Sequence, residues 1–164
     1  MVPDARSHDL DAFHETGDID CLLAFIGTSL LSSSEDIRVS TVVTGYFRSI
    51  ENGERPDFRS VNREILASHA AAVIPTINWI AGSPKADFRS AAIELMGVLG
   101  WEAFLGQLAS WAFDGEGWER LASIRSLGKM PSNTARSLLE SLREDRDPAI
   151  AAAAGSALDP TAVV

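Results

Sequence analysis

Apolar residues recur at intervals of three and four along most of the chain, a spacing that places them on one face of an α-helix. Alternating polar and apolar runs, typical of strands, are short. The β-prone stretches at residues 41–43 and 72–74 lie inside longer helical patterns. The pattern therefore predicts an all-α protein. The predicted helices lie near residues 8–15, 18–31, 35–51, 57–69, 71–81, 85–99, 101–113, 116–128, 132–144 and 148–158.

Residues that start and stop helices separate these segments. Serine and aspartate favour the first position of a helix because their side chains accept hydrogen bonds from its free N–H groups. Glycine favours the position after the last turn. The predicted starts are at Asp18, Ser34, Ser83-Pro84 and Pro131-Ser132. The predicted stops are at Gly53, Gly82, Gly100, Gly115 and Gly128.

One pattern occurs more than once: an apolar helix, an acidic turn, and a second helix that opens with arginine and closes on glycine. Its clearest copy runs from Leu105 through Asp114 to Gly128. Related copies centre on Asp87 and on Asp147-Pro148, and a weaker copy runs from Leu22 to Arg38. Self-similarity at such a period is typical of stacked helical repeats, whose members bury their apolar faces against each other.

This unit resembles the HEAT-like repeat, in which an acidic turn joins a first helix to an arginine-bearing, alanine-rich second helix. The resemblance implies one domain over 1–164, a short right-handed superhelical stack of about four helix pairs with an inserted helix after the first pair. The repeats would lie near residues 18–51, 66–100, 101–129 and 132–159, after an N-terminal cap helix at 8–16. The last copy departs from the family pattern because Ala151 occupies its arginine position.

The resemblance also implies structural roles for the charged repeat positions. We expect small residues such as Ala122 and Ala154 to let second helices approach closely. We expect the arginines to bind turn carboxylates such as Asp87 or Asp114 and so tie neighbouring turns together. The structural repeat positions are Arg38, Asp87, Arg89, Asp114, Arg120 and Asp147.

Composition narrows the possible partners. The 164 residues include 23 acidic and 14 basic ones, a net charge of −9, which repels nucleic acid and attracts a basic protein. The same charge could serve solubility alone. The apolar stretch at residues 70–82 is broken by Pro75 and is too short to cross a bilayer, and the N-terminus lacks a secretory pattern. We therefore expect a cytoplasmic protein that binds neither nucleic acid nor a membrane.

Candidate catalytic chemistry is sparse. Cys21 lies in an apolar run, where a thiol is usually a buried hydrophobe, and the histidines are His8, His14 and His69. No nucleophile elbow, phosphate loop or paired-cysteine metal motif occurs. HEAT-like di-iron hydroxylases carry several His-Glu pairs, whereas this chain has only His14-Glu15. We expect no enzyme activity, no cofactor and no metal. A HEAT-like pigment lyase or a DNA glycosylase-like enzyme, with an unrecognised pocket, is the alternative.

These observations predict a non-catalytic protein-binding module, either an adaptor or an inhibitor of the immunity or antitoxin type that masks a basic partner. Trp79 and Trp111 lie on apolar helical faces, where we expect them to be buried. Trp101 and Trp118 stand beside helix starts and acidic residues, which favours a role as interface anchors. The predicted partner-binding residues are Glu94, Trp101, Glu116, Trp118, Glu119 and Arg125. The oligomeric state stays open.

Overall fold

A computed structural model describes residues 12, 15–16, 43, 45–50, 52–54 and 63–159 of the chain. Helices account for 81% of these residues and none of them lies in a strand, which confirms the all-α prediction for the described part of the chain. The predictions for residues 18–31 and for Arg38 lie outside the described residues.

The helices follow one another through short turns. Residues 43 and 45–50 are helical, within the predicted helix at 35–51. No described helix is long and apolar enough to cross a membrane. The later helices are α1 (Arg63–Ser68), α2 (Ala70–Ala81), α3 (Ala86–Leu99), a 3-10 turn (Glu102–Phe104), α4 (Leu105–Asp114), α5 (Gly117–Lys129), α6 (Asn133–Leu142) and α7 (Pro148–Leu158).

Local capping groups explain why several of these helices begin where the sequence predicts. Ser132 precedes α6, and its side chain accepts a hydrogen bond from the Ala135 N–H at 3.4 Å. Asp147 precedes α7 and accepts from the Ala149 N–H at 2.9 Å, while Pro148 occupies the first helical position, where its missing N–H costs nothing. In both caps the hydrogen-bonded residues are two or three positions apart in the chain, so the local sequence is sufficient to predict them.

The predicted stop at Gly128 is wrong, because α5 continues to Lys129 and Met130 is its C-cap. Gly128 serves helix packing instead: a Cβ atom at this position would lie 2.9 Å from the Cβ of Ala157 in α7. By contrast, the predicted stop at Gly100 follows α3 directly. Its φ of +66° is a left-handed conformation that L side chains rarely adopt.

The chain divides into two compact units, Met1–Ala92 and Ile93–Val164. In the first unit, an aromatic cluster joins the helical residues 45–50 to the start of α3. Tyr46 and Phe47 meet edge to face with ring centroids 5.0 Å apart, and Phe47 meets Phe88 at 6.3 Å. The Tyr46 hydroxyl donates a buried hydrogen bond of 2.9 Å to the Ala91 carbonyl. This cluster thus satisfies its one polar group internally.

In the second unit, α5 is the helix around which the others pack. It contacts α4, α6 and α7; α6 also packs against α7, and α4 contacts α6. The buried face of α5 includes Ala122, Ile124 and Leu127. Two consecutive helix pairs, α4 with α5 and α6 with α7, therefore share one apolar interior.

Close contacts between alternate helices recur at a fixed interval. A Cβ atom on Gly97 of α3 would lie 2.6 Å from the Cα of Ser126 in α5, and Gly128 of α5 meets Ala157 of α7 in the same way. Both members of the contact advance by 31 residues, from 97 to 128 and from 126 to 157. The sequence places Arg89 and Arg120 at that same separation.

The burial of Ala154 generates a stability prediction. Its side chain is fully buried in α7, whereas Ala152 on the same helix is exposed. Ala154→Glu should lower the free energy of unfolding by more than about 3 kcal/mol, because it buries a carboxylate without a partner. Ala152→Glu should change it by less than about 0.5 kcal/mol. Denaturant titration measures both values. Equal unfolding midpoints for the two variants would contradict the orientation of α7.

Two buried serines of α5 provide a second, matched test. Among the described residues, the Ser123 hydroxyl has no hydrogen-bond partner, whereas the Ser126 hydroxyl donates to the Ile93 carbonyl at 2.8 Å. Ser123→Ala should therefore raise the free energy of unfolding by about 1 kcal/mol, and Ser126→Ala should lower it by about 1 kcal/mol. Chemical denaturation of both variants checks the signs. A loss of stability in Ser123→Ala would mean that its hydroxyl is hydrogen-bonded.

Candidate partner-binding surface

Four of the predicted partner-binding residues lie on second helices of the repeat pattern: Glu94 on α3, and Trp118, Glu119 and Arg125 on α5. Trp118 and Arg125 stand on α5 with Leu121 between them, at intervals of three and four residues, so they form one outward stripe of that helix. Arg125 is exposed, while Trp118 and Leu121 are half-buried. Glu94 is half-buried on α3. The stripe on α5 thus combines partly covered apolar side chains with an exposed guanidinium group.

Glu116 and Glu119 form the N-terminal cap of α5. The Glu116 N–H donates to Oε2 of Glu119 at 3.0 Å, which is one bond of a capping box. Glu119 is half-buried and holds this helix end, so it has a structural role that the sequence analysis did not assign. Glu116 is exposed at the turn. The binding role predicted for the two residues stays a prediction.

The tryptophans are distributed differently from the prediction. Trp79 was expected to be buried, but 40% of its surface is exposed on α2. The apolar residues of that helix extend beyond the face that is buried. Trp111 is half-buried. Trp101 is also half-buried, and its ring stacks almost parallel to that of Phe104, with centroids 5.8 Å apart. Because Phe104 is fully buried, Trp101 helps to cover the core.

Arg120 links two turns of the second unit. Its Nε donates to the Ala112 carbonyl near the end of α4 at 2.9 Å, and its Nη2 donates to Oδ2 of Asp145 in the turn between α6 and α7. The sequence predicted that Asp114, in the turn before α5, is such a partner. The observed carboxylate belongs to the following helix pair, because the guanidinium of Arg120 reaches across from the end of α4 to the turn between α6 and α7.

Asp145 is the centre of this link and was not among the predicted site residues. Besides the bond from Arg120, its Oδ1 accepts from the Asp147 N–H at 2.8 Å, next to the cap of α7. The hydrogen bond from the Arg120 guanidinium, followed by that from Asp147, lowers the pKa of the Asp145 carboxyl group below its ordinary value. The sequence signal for this role was the position of Asp145, two residues before the Asp147-Pro148 helix start.

Two further repeat positions, Arg89 and Asp87, lie in the first unit. Arg89 donates from Nη1 to the carbonyl oxygens of Ser83, at 3.1 Å, and Pro84, at 3.4 Å, so it closes the turn before its own helix. Asp87 is exposed in the first turn of α3. Arg89 and Arg120, at equivalent sequence positions, thus both donate to backbone carbonyl oxygens, and Arg120 also donates to the carboxylate of Asp145.

Phe113 is exposed and was not among the predicted partner-binding residues. It lies near the end of α4 with 41% of its surface exposed, next to the exposed Asp114. The carbonyl of its neighbour Ala112 accepts a hydrogen bond from Arg120, and Arg120 donates a second hydrogen bond to Asp145. We call the outer residues of these two linked turns the turn edge. The turn edge comprises Phe113, Asp114, Glu116, Glu144, Arg146 and Asp147, all of which are exposed.

A groove of the second unit is lined by residues other than the predicted partner-binding ones. Within the described part of the chain, no group of three or more His, Cys, Asp or Glu side chains could hold a metal ion. A groove of about 330 Å³ lies among the C-terminal ends of α5 and α7 and the start of α6. Leu127, Met130, Leu139 and Arg136 contribute to its lining, but none of the six predicted partner-binding residues does.

Comparisons of the chain with family models, with curated proteins and with solved structures find no significant match. The arrangement of the described residues is therefore the basis on which a function can be proposed.

The Arg120 link generates a prediction about pH. Asp145 has a lowered pKa in the folded chain, so its carboxylate stabilises the fold above the unfolded-state pKa of about 3.9, and this contribution is lost as the pH falls through the lower folded value. Asp145→Asn should therefore be less stable than the unsubstituted chain at about pH 7, and the difference should shrink at about pH 2.

Denaturant titration at the two pH values measures this difference. Asp114→Asn is the matched control, because it removes an exposed carboxylate from the turn before α5. It should cost less stability at neutral pH than Asp145→Asn does. Equal effects of the two substitutions would show that the bond from Arg120 to Asp145 does not stabilise the fold.

Proposed function

We propose that the protein is a non-catalytic, protein-binding module built as a short HEAT-like stack. The observation that carries this proposal is the contact between alternate helices that recurs after 31 residues, from Gly97 with Ser126 to Gly128 with Ala157. A repeated packing contact at a constant interval is what a stack of equivalent helix pairs requires. The contacts of α4 with α6 and of α5 with α7 support the same arrangement.

A stack of this kind displays a row of second helices, and such rows are extended surfaces suited to another protein. The outward stripe of α5 has the composition of an interface centre, with Trp118, Leu121 and Arg125. Together with Glu94 of α3, it forms the proposed binding surface. The net charge of −9 favours a basic partner, because opposite charges accelerate encounter. The protein would act in the cytoplasm as an adaptor or as an immunity or antitoxin-type inhibitor.

The alternative is a HEAT-like enzyme or ligand-binding protein, such as a pigment lyase or a DNA glycosylase-like enzyme. The groove beside Leu127 and Leu139 could hold a small molecule. Its lining contains no histidine or cysteine, and Arg136 and Asp159 are its ionisable residues, so the composition of the groove favours the binding module over an enzyme. Absorbance and elemental analysis of the protein purified from its native cell would reveal a bound pigment or metal.

A pulldown with the full chain tests the main proposal. We expect it to retrieve a basic protein at a one-to-one or other constant ratio, with an affinity that falls as salt rises. Screening acts on exposed charges within about 8 Å at physiological ionic strength. A native preparation that carries a pigment or metal and no stoichiometric protein would support the alternative instead.

Substitutions then locate the surface once the partner has been purified. Arg125→Ala should raise the dissociation constant about tenfold, because arginine at an interface centre commonly dominates binding. Glu94→Lys should mainly slow association. Arg136→Ala, which removes an exposed arginine from α6, is the matched control and should change affinity less than about twofold. Unchanged binding in the first two variants, with native helix content, would exclude the second-helix surface.

A further inference from the structure

The turn edge brings together side chains that are distant in the sequence. The Arg120 guanidinium binds both the Ala112 carbonyl and the Asp145 carboxylate, so the turn after α4 and the turn after α6 lie within hydrogen-bonding distance of one group. Asp145 is itself held by the Asp147 N–H. These bonds order both turns, and a partner that docks on them would lose little entropy in fixing them.

The exposed charges of this edge are predominantly acidic. Asp114 and Glu116 come from one turn, and Glu144 and Asp147 from the other. The exposed basic residues near them are Arg143 and Arg146. Because Arg120 and Asp145 neutralise each other, four exposed carboxylates stand against two exposed guanidinium groups.

Phe113 supplies an apolar anchor beside these carboxylates. Within residues 93–159 it is the large apolar side chain with the greatest exposure, at 41%, although it lies beside the fully buried Ala112. An exposed aromatic ring beside predominantly acidic side chains fits an apolar socket with basic side chains at its rim.

We propose that the turn edge is the docking site for a basic segment of a partner protein, which receives the Phe113 ring in an apolar socket and pairs lysine or arginine with Asp114, Glu116, Glu144 and Asp147. The inference rests on the proposed function and names a part of the partner-binding surface. The edge continues from the predicted set through Glu116, which belongs to both.

The experiment uses the full chain with the photo-crosslinking residue p-benzoylphenylalanine in place of Phe113, and in parallel in place of Gln107. Both positions are exposed on α4, and they lie six residues, or about 9 Å, apart along the helix. We expect the protein retrieved by the pulldown to crosslink from position 113 through a basic segment, and to crosslink more weakly from position 107.

Binding measurements with that purified protein complete the test. Phe113→Ala should weaken binding about tenfold or more. Asp114→Lys combined with Glu144→Lys should slow association and reduce its salt dependence. Glu102→Lys is the matched charge reversal, because Glu102 is exposed on the 3-10 turn before the opposite end of α4, and it should leave binding unchanged. Circular dichroism checks the helix content of each variant.

The possible outcomes separate the two proposals. A partner that binds Phe113→Ala and the charge-reversed variant normally would overturn the turn edge as a docking site and leave the proposed function in place. A crosslink between two copies of the chain would overturn it as well, in favour of self-association. Failure to retrieve any stoichiometric partner would overturn the proposed function and this inference together.

Discussion

The second unit depends on how closely its alternate helices approach. At Gly97 and Gly128 the neighbouring helix lies where a Cβ atom would be, so the backbones of α3 and α5, and of α5 and α7, meet with almost no side chain between them. Such close packing lets one central helix, α5, reach neighbours on several sides at once. The small residues therefore set the spacing of the stack, and the larger apolar residues of α5, such as Leu127, fill the space that remains.

Helix spacing alone does not determine where the turns lie, and Arg120 supplies that second constraint. Its two hydrogen bonds join the end of one helix pair to the turn of the next, and Asp145 extends the link to the cap of α7. The pair is only partly exposed, with 16% and 19% of the two side-chain surfaces accessible, so water screens it less than it screens a surface pair. The last copy has Ala151 at the equivalent arginine position, so it cannot repeat the bond.

These two constraints fix the positions of the helices and turns, and the proposed binding residues lie on the outside of that framework. The outward stripe of α5 and the turn edge both include exposed side chains that the framework does not require for its own packing, such as Arg125 and Phe113. Glu119 differs from Arg125 and Phe113 because its side chain belongs to the capping box of α5. Its substitution would alter stability and binding together, whereas substitutions of Arg125 or Phe113 change the surface alone.

The sequence by itself determined the helices between Arg63 and Leu158, because periodicity and caps such as Ser132 and Asp147 act within a few residues. It also identified Ala154 as a buried small residue. Only the tertiary structure decided that Gly128 lies inside α5, that Arg120 binds Asp145, and that Trp79 and Phe113 are exposed. Each of these features depends on which helix covers a given face. Such contacts join residues that are far apart in the chain, so a local sequence pattern does not predict them.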